Sequence, residues 1–160
     1  MNKHDVQALI VEALERDLAV ARRAAQTAYE TATHEENIAE NKYDTLGLEA
    51  SYLATGQARR MAEIAQALKA LRELPVTPHQ QARGLQLGDY VALETPEGDC
   101  RAVFIGPDAA GLVVQAEGIP VTVVTPKAPL GQALMGRQEG DEVQVNVGGR
   151  RQTYVIVAVQ

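Results

Sequence analysis

Carboxylates crowd one short stretch of this 160-residue chain. Residues 30–44 hold Glu30, Glu35, Glu36, Glu40 and Asp44 against Lys42 alone, five negative charges and one positive, so −4 of the chain's net −6 falls there. If the stretch is helical, Glu36 and Glu40 stand four apart and share a face. Two carboxylates so placed suit a hard divalent cation such as Mg²⁺, which takes oxygen ligands. By themselves they hold it weakly. Presented to an active site that already contains a metal and phosphates, they complete its coordination. The competing reading of the same residues is a solvated acidic turn that keeps the segment soluble.

Other chemistry-bearing residues are dispersed. Arg22-Arg23 and Arg59-Arg60 are basic pairs that either face solvent beside neighbouring Glu residues or touch an acidic or nucleic partner surface. His4, His34 and His79 are too scattered for a metal site. Cys100 is the sole cysteine, which excludes an internal disulfide and a Cys-based zinc site and suits a reducing cytoplasm. It lies beside an expected strand and is read as a small buried hydrophobe. No Ser/His/Asp or Cys/His constellation and no Gly-rich phosphate loop opening onto a helix is present. A pI near 5.1 argues against broad phosphate-backbone binding. One Phe, five Tyr and no Trp argue against a base-stacking platform. No apolar run approaches the roughly 18–20 residues of a membrane span, and the first residues are charged too early for a signal-peptide core.

Two compositional regimes must position these residues. Residues 1–73 lack proline and are rich in Ala, Leu, Glu and Arg. Leu14, Leu18, Ala21, Ala25, Ala28 and Ala32 recur at steps of four and three. Leu46, Ala50 and Leu53 do the same, followed by Met61, Ile64, Leu68 and Leu71, with Gln57 as one polar interruption. These are narrow seams of the coiled-coil kind, one Ala-rich and one Leu-rich. An antiparallel hairpin with its acidic tip near 34–44 is the simplest arrangement; a helix pair that dimerises with another chain is the alternative. Thr33 with Glu36 matches a capping box, so the second helix starts there or, later, near Asn41. Gly47 and Gly56 within it either permit close helix approach or loosen that half.

Residues 74–84, with Pro75 and Pro78, read as a linker. Beyond it, 85–160 is rich in Val, Gly and Pro. Strands are expected at Tyr90–Leu93, Arg101–Ile105, Leu112–Ala116 and Val121–Thr125, then a hairpin of Glu142–Val147 and Gln152–Val159 turning on Gly148-Gly149. Pro129 to Gly136 reads as one short helix, proline first and glycine as its stop. The fold class is therefore α+β: a helical hairpin followed by a domain with one helix packed on a strongly bent sheet.

The stretch from Val124 through Pro126, Pro129, Leu130, Gly131, Ala133, Leu134 and Gly136 to Gly140, Asp141, Val143 and Val145 resembles the bacterial Gre transcript-cleavage factors. Their second domain carries a similar "SP-x-G-x-A-L-x-G" helix followed by "G-D-x-V", with Ala128 here in place of the Ser. The order hairpin, linker, FKBP-like domain resembles that family over the whole chain. The family's tip, roughly "G-D-L-S-E-N-A-E-Y", is matched nearest by Asn37 to Asn41. Glu40 and Asn41 fall on the family's Glu-Asn, Asn37 falls on its Asp, Glu36 stands beside that position, and Tyr43 follows one residue early.

The resemblance implies a cytoplasmic regulator, a monomer, that docks on RNA polymerase and sends its hairpin into the secondary channel. It implies no cofactor of the chain's own and no enzymatic activity of its own. Glu40 and Glu36 would act only jointly with the polymerase Mg²⁺, stimulating cleavage of backtracked RNA. A channel-binding regulator without cleavage stimulation is the alternative, favoured by Asn37. Neither membrane binding nor sequence-specific nucleic-acid binding is expected. A client-clamping chaperone is disfavoured by the polar outer faces. An isolated prolyl isomerase is disfavoured because only Tyr90, Phe104 and Tyr154 are aromatic in the second domain.

Overall fold

A computed structural model describes residues 1–38 and 45–160, with the side chains of 32, 35–38 and 45–52 outside that description. Helix α1 spans Lys3–Ile38 and helix α2 spans Thr45–Glu73, 36 and 29 residues. At 1.5 Å per residue they are about 54 and 44 Å long. Helix α1 begins on a capping box that the sequence reading did not pick out. The Asp5 N–H donates to Asn2 Oδ1 at 3.0 Å, and the Asn2 N–H donates back to Asp5 Oδ2 at 3.2 Å. Thr33 and Glu36, expected as a capping box, lie inside α1 instead. No glycine or proline interrupts the chain there, so the first helix runs through them to Ile38. The second helix starts at Thr45, closer to the later of the two expected starts.

The chain divides into two compact units: Ala13–Leu68, and Met1–Glu12 together with Lys69–Gln160. In the first, the Ala-rich seam is real. Leu14, Leu18, Ala21 and Ala28 are buried and Ala25 is half-buried. On α2, Leu68 is buried, while Met61, Ile64 and the polar Gln57 are half-buried. Leu53 departs from the expectation, at 57% exposed. It flanks a groove of about 480 Å³ with Val20, Ala24, Thr27 and Ala28, where small side chains on α1 leave space instead of filling it.

The second unit is built on one six-stranded sheet. Its strands are β1 (Tyr90–Glu94), β2 (Cys100–Ile105), β3 (Val113–Ala116), β4 (Ile119–Val124), β5 (Glu142–Val147) and β6 (Arg150–Val159). Their order is β3-β4-β2-β1-β6-β5, all antiparallel except β2 with β4. The β5–β6 hairpin turns on Gly148 and Gly149, at φ +58° and +78°, the left-handed pair a two-residue turn needs. Helix α3 (Pro129–Leu134) packs Leu130 and Leu134 onto Val91, Leu93, Val103, Val143, Tyr154 and Ile156.

The opposite face of the sheet is buried too, which the sequence reading did not anticipate. Ala102, Phe104, Val121 and Val123 occupy the alternate register positions and are buried. In the helix ends that belong to this unit, Val6, Ile10 and Leu71 are each 0% exposed, and Leu71 reaches this face. The Leu71 Cδ1 stands 3.9 Å from where a Cβ on Gly106 would be. Two polar devices fasten these ends. Gln7 Nε2 donates to the Leu71 and Leu74 carbonyls at 2.8 and 3.0 Å, satisfying orphan acceptors at the end of α2. Lys3 Nζ reaches Asp89 Oδ1 at 3.1 Å, with both side chains more than nine-tenths buried.

Residues 74–84, expected as a linker, are strapped to this unit. His79 Nδ1 lies 3.0 Å from Asp89 Oδ2, and Gln138 Nε2 donates to the Gln81 carbonyl at 3.1 Å. A 3₁₀ turn at Gln81–Arg83 ends at Gly84, φ +73°, where an added Cβ would overlap the Gly136 carbonyl. The division between units falls inside the helices, at Glu12/Ala13 and Leu68/Lys69, and not within 74–84.

Gly131 packs α3 against the preceding loop so closely that a Cβ would overlap the Thr125 carbonyl oxygen. Gly131→Ala is therefore expected to destabilise the full chain by about 1–3 kcal/mol through overpacking, in spite of alanine's better helix propensity. Urea unfolding followed by circular dichroism measures it, and a gain in stability would contradict the close approach.

Candidate functional site

Glu36 and Asn37 lie on the last turn of α1. Glu40, with Asn41 and Tyr43, falls within 39–44, outside the described residues, and so does the shared face expected for Glu36 and Glu40. Of the described side chains nearest the tip on α1, Glu30, Thr31 and His34 are exposed and Thr33 is half-buried. Farther from it, Arg22, Arg23, Arg59 and Arg60 are all exposed, as both the solvent-facing and the partner-contacting reading of the two pairs require. Gly56 has open space around it, with nothing within 4 Å of an added Cβ. It does not serve close helix approach, so only the loosening alternative remains for it.

The sheet domain contains no aromatic-walled pocket built from its three aromatic residues. Tyr90 and Phe104 pair directly across β1 and β2, on the face that also carries Val121 and Val123. Tyr154 belongs to the opposite, α3-covered face. Its hydroxyl donates to Gln152 Oε1 at 2.7 Å and accepts from Arg101 Nη1 at 3.2 Å. Its ring lies under the same guanidinium, 5.9 Å from centroid to Cζ. The side chain is thus committed to structure at both its ring and its hydroxyl.

Cys100 corrects the expectation of a buried hydrophobe: it is exposed. It opens β2 at the rim, where the burial pattern reads exposed for the first two residues and buried only from Ala102 onward. Among the described residues, no group of three or more His, Cys, Asp or Glu is placed to hold a metal ion. Nor is any helix long and apolar enough to cross a membrane. His79 acquires a structural partner that spacing could not reveal, since Asp89 approaches it only after the strap has folded back.

The segment that the motif marks has a defined geometry. Pro129 is the first helical residue of α3, and the residue before it, Ala128, occupies the N-cap with φ −73° and ψ 152°. No side-chain hydrogen bond caps the helix. Gly136, at φ +78°, turns the chain out of the helix and donates its N–H to the Leu85 carbonyl at 2.9 Å. Gly140 then donates to the Ile156 carbonyl at 2.7 Å and Asp141 accepts the Gln138 N–H at 2.8 Å, setting the register of β5.

Residues 112–160, from β3 to the end of β6, match the family model described as "Transcription elongation factor, GreA/GreB, C-term". The match takes in 49 of the chain's 160 residues and makes this closing segment similar to the C-terminal part of that family. No curated protein matches the chain. Among solved structures, it is similar to the GreA factor homolog 1 (Gfh1) of Thermus thermophilus, with 22% identity, 94% of each chain covered and a TM-score of 0.40. It is similar to Thermus aquaticus Gfh1, with 22% identity, 93% of this chain and 92% of that one covered, and a TM-score of 0.40. The prokaryotic elongation factor GreA/GreB from Nitrosomonas europaea shares 20% identity over 81% of this chain and 92% of its own, with a TM-score of 0.38.

The Gre-like motif and the geometry meet at Ala128, which stands at an N-cap where the family pattern has Ser. A serine hydroxyl there can accept a backbone N–H of the first turn, which alanine cannot. Ala128→Ser is expected to stabilise the chain by about 0.5–2 kcal/mol. The urea midpoint of the full-length variant checks this, and an unchanged or lower midpoint would show that the cap is not limiting.

Proposed function

We propose that this chain is a cytoplasmic regulator that binds RNA polymerase and projects its paired helices into the secondary channel, bringing the acidic residues around Glu40 to the catalytic centre. The observation that carries this reading is the Gre-type match over 112–160 in a chain whose other half is two long helices. The sheet domain supplies docking and the helices supply reach. The chemistry belongs to the polymerase, so the chain is a stimulator or modulator and not an enzyme. When the polymerase Mg²⁺ is bound, it supplies the Lewis acidity for hydrolysis of backtracked RNA. The role of this chain is to bring a carboxylate near it: Glu40 first, because it falls on the family's Glu, and Glu36 second.

A second reading is occupancy of the channel without cleavage. Asn37 favours it, because an amide stands where the family has an acid and carries no charge to a cation.

Binding is tested by displacement of a labelled secondary-channel factor from core RNA polymerase. Displacement at micromolar concentrations is expected, and its absence would remove the docking reading. The tip is tested separately, by RNA shortening in stalled, backtracked complexes. Glu40→Ala is expected to abolish the chain's effect on the polymerase while leaving its affinity within about twofold, since docking rests on the sheet domain and the helix flanks. Glu36→Ala should matter less, and Asn37→Asp should create or raise cleavage. Full effect retained by Glu40→Ala would leave the tip as a solvated acidic turn.

A further inference from the structure

Asp89 is a buried carboxylate that three separate pieces of chain converge on. Its Oδ1 takes Lys3 Nζ of the first turn of α1, at 3.1 Å. Its Oδ2 takes His79 Nδ1 of the strap, at 3.0 Å, and the Gln86 backbone N–H, at 2.9 Å. Lys3 is the full positive charge that balances it. His79 is held by one nitrogen only: its Nε2 is buried and has no hydrogen-bond partner. With Nδ1–H donated to Asp89, that bare Nε2 is tolerable, because an unprotonated ring nitrogen needs no acceptor to avoid a stranded N–H.

The balance fails once Lys3 leaves. A buried carboxylate without a counter-ion is strongly unfavourable. The remaining group able to neutralise it is His79, and a second proton on that ring would sit on Nε2, a buried N–H with no acceptor. Both outcomes are relieved by the same movement, in which His79 turns to water and carries the strap with it. We propose that Asp89 couples the seating of α1's first turn to the closure of residues 74–84, with Lys3 as the positioning residue that permits the closed strap. The two seat together or open together, although Lys3 and His79 share no contact beyond the carboxylate between them.

Amide hydrogen exchange on the full chain reads the coupling. The Arg83, Gly84 and Leu85 N–H groups report on the strap, being bonded to the Gln80, Gln81 and Arg137 carbonyls. Val123 and Gly140, bonded to Leu112 and Ile156, report on the sheet. Lys3→Met is expected to speed strap exchange at least tenfold while Val123 and Gly140 keep their protection. Adding Asp89→Asn to Lys3→Met removes the stranded charge and should return strap exchange most of the way to the parent rate, a rescue that lost packing alone would not give. Unchanged strap exchange in Lys3→Met overturns the proposal, and so does equal acceleration in the single and double variants. If Lys3→Met unfolds the sheet as well, the reverse direction decides, because coupling is reciprocal. His79→Ala must then speed exchange at Val6, whose N–H bonds the Asn2 carbonyl in the first turn of α1. An unchanged Val6 rate in that variant overturns the proposal equally.

Discussion

A single negative charge at Asp89 sets the terms for the sheet-containing unit. Its side chain is 6% exposed, and a carboxylate in that setting persists only if charge and hydrogen bonds reach it from several sides. The partners it acquires come from the first turn of α1, the strap and the turn before β1. Around it the apolar side chains are closed off from water: Val6, Ile10 and Leu71 are each fully buried, and Leu71 reaches Gly106 at the end of β2. One face of the sheet is thus covered by α3, set between β4 and β5 in the chain, and the other is approached by Leu71 near the end of α2.

Much of this architecture was legible in the sequence because it rests on local rules. The helix period, the Gly148-Gly149 turn, the short strands β1 and β2 and the proline-led α3 each follow from a few neighbouring residues. What was not legible depends on long-range meeting. The capping box at Asn2 and Asp5 has the right spacing, but Asp is a weaker signal than Glu at the third position, and Thr33 with Glu36 offered the stronger pattern in a place where nothing ends the helix. Residues 74–84 carry every mark of a free linker, and their hydrogen bonds to Asp89, Leu74's neighbour Gln7 and Gln138 are invisible until the chain folds. Leu53 obeys the heptad period yet faces a groove, because period specifies a direction and not whether the partner is large enough to fill the space.

The candidate site divides in the same way. The C-terminal motif was readable because its glycines and proline do specific backbone work: Gly131 admits the Thr125 carbonyl, Gly136 takes a left-handed turn and Pro129 starts a helix. Cys100 was misread because a strand position says which face a side chain takes but not that its end of the strand lies at the rim. The acidic tip rests on charge density and on the family resemblance, with Glu40 and its neighbours lying outside the described residues.

The separation of 86 positions between Lys3 and Asp89 carries a consequence for biosynthesis. At roughly 5–20 residues per second, translation delivers Asp89 about 4–17 s after Lys3 has been made. Throughout that interval the Lys3 ammonium has no Asp89 carboxylate to pair with. The first turn of the nascent helix holds by its own capping box between Asn2 and Asp5. A chain stalled before Asp89 would keep the Lys3 ammonium in water, and the charge would be desolvated only when its partner arrives.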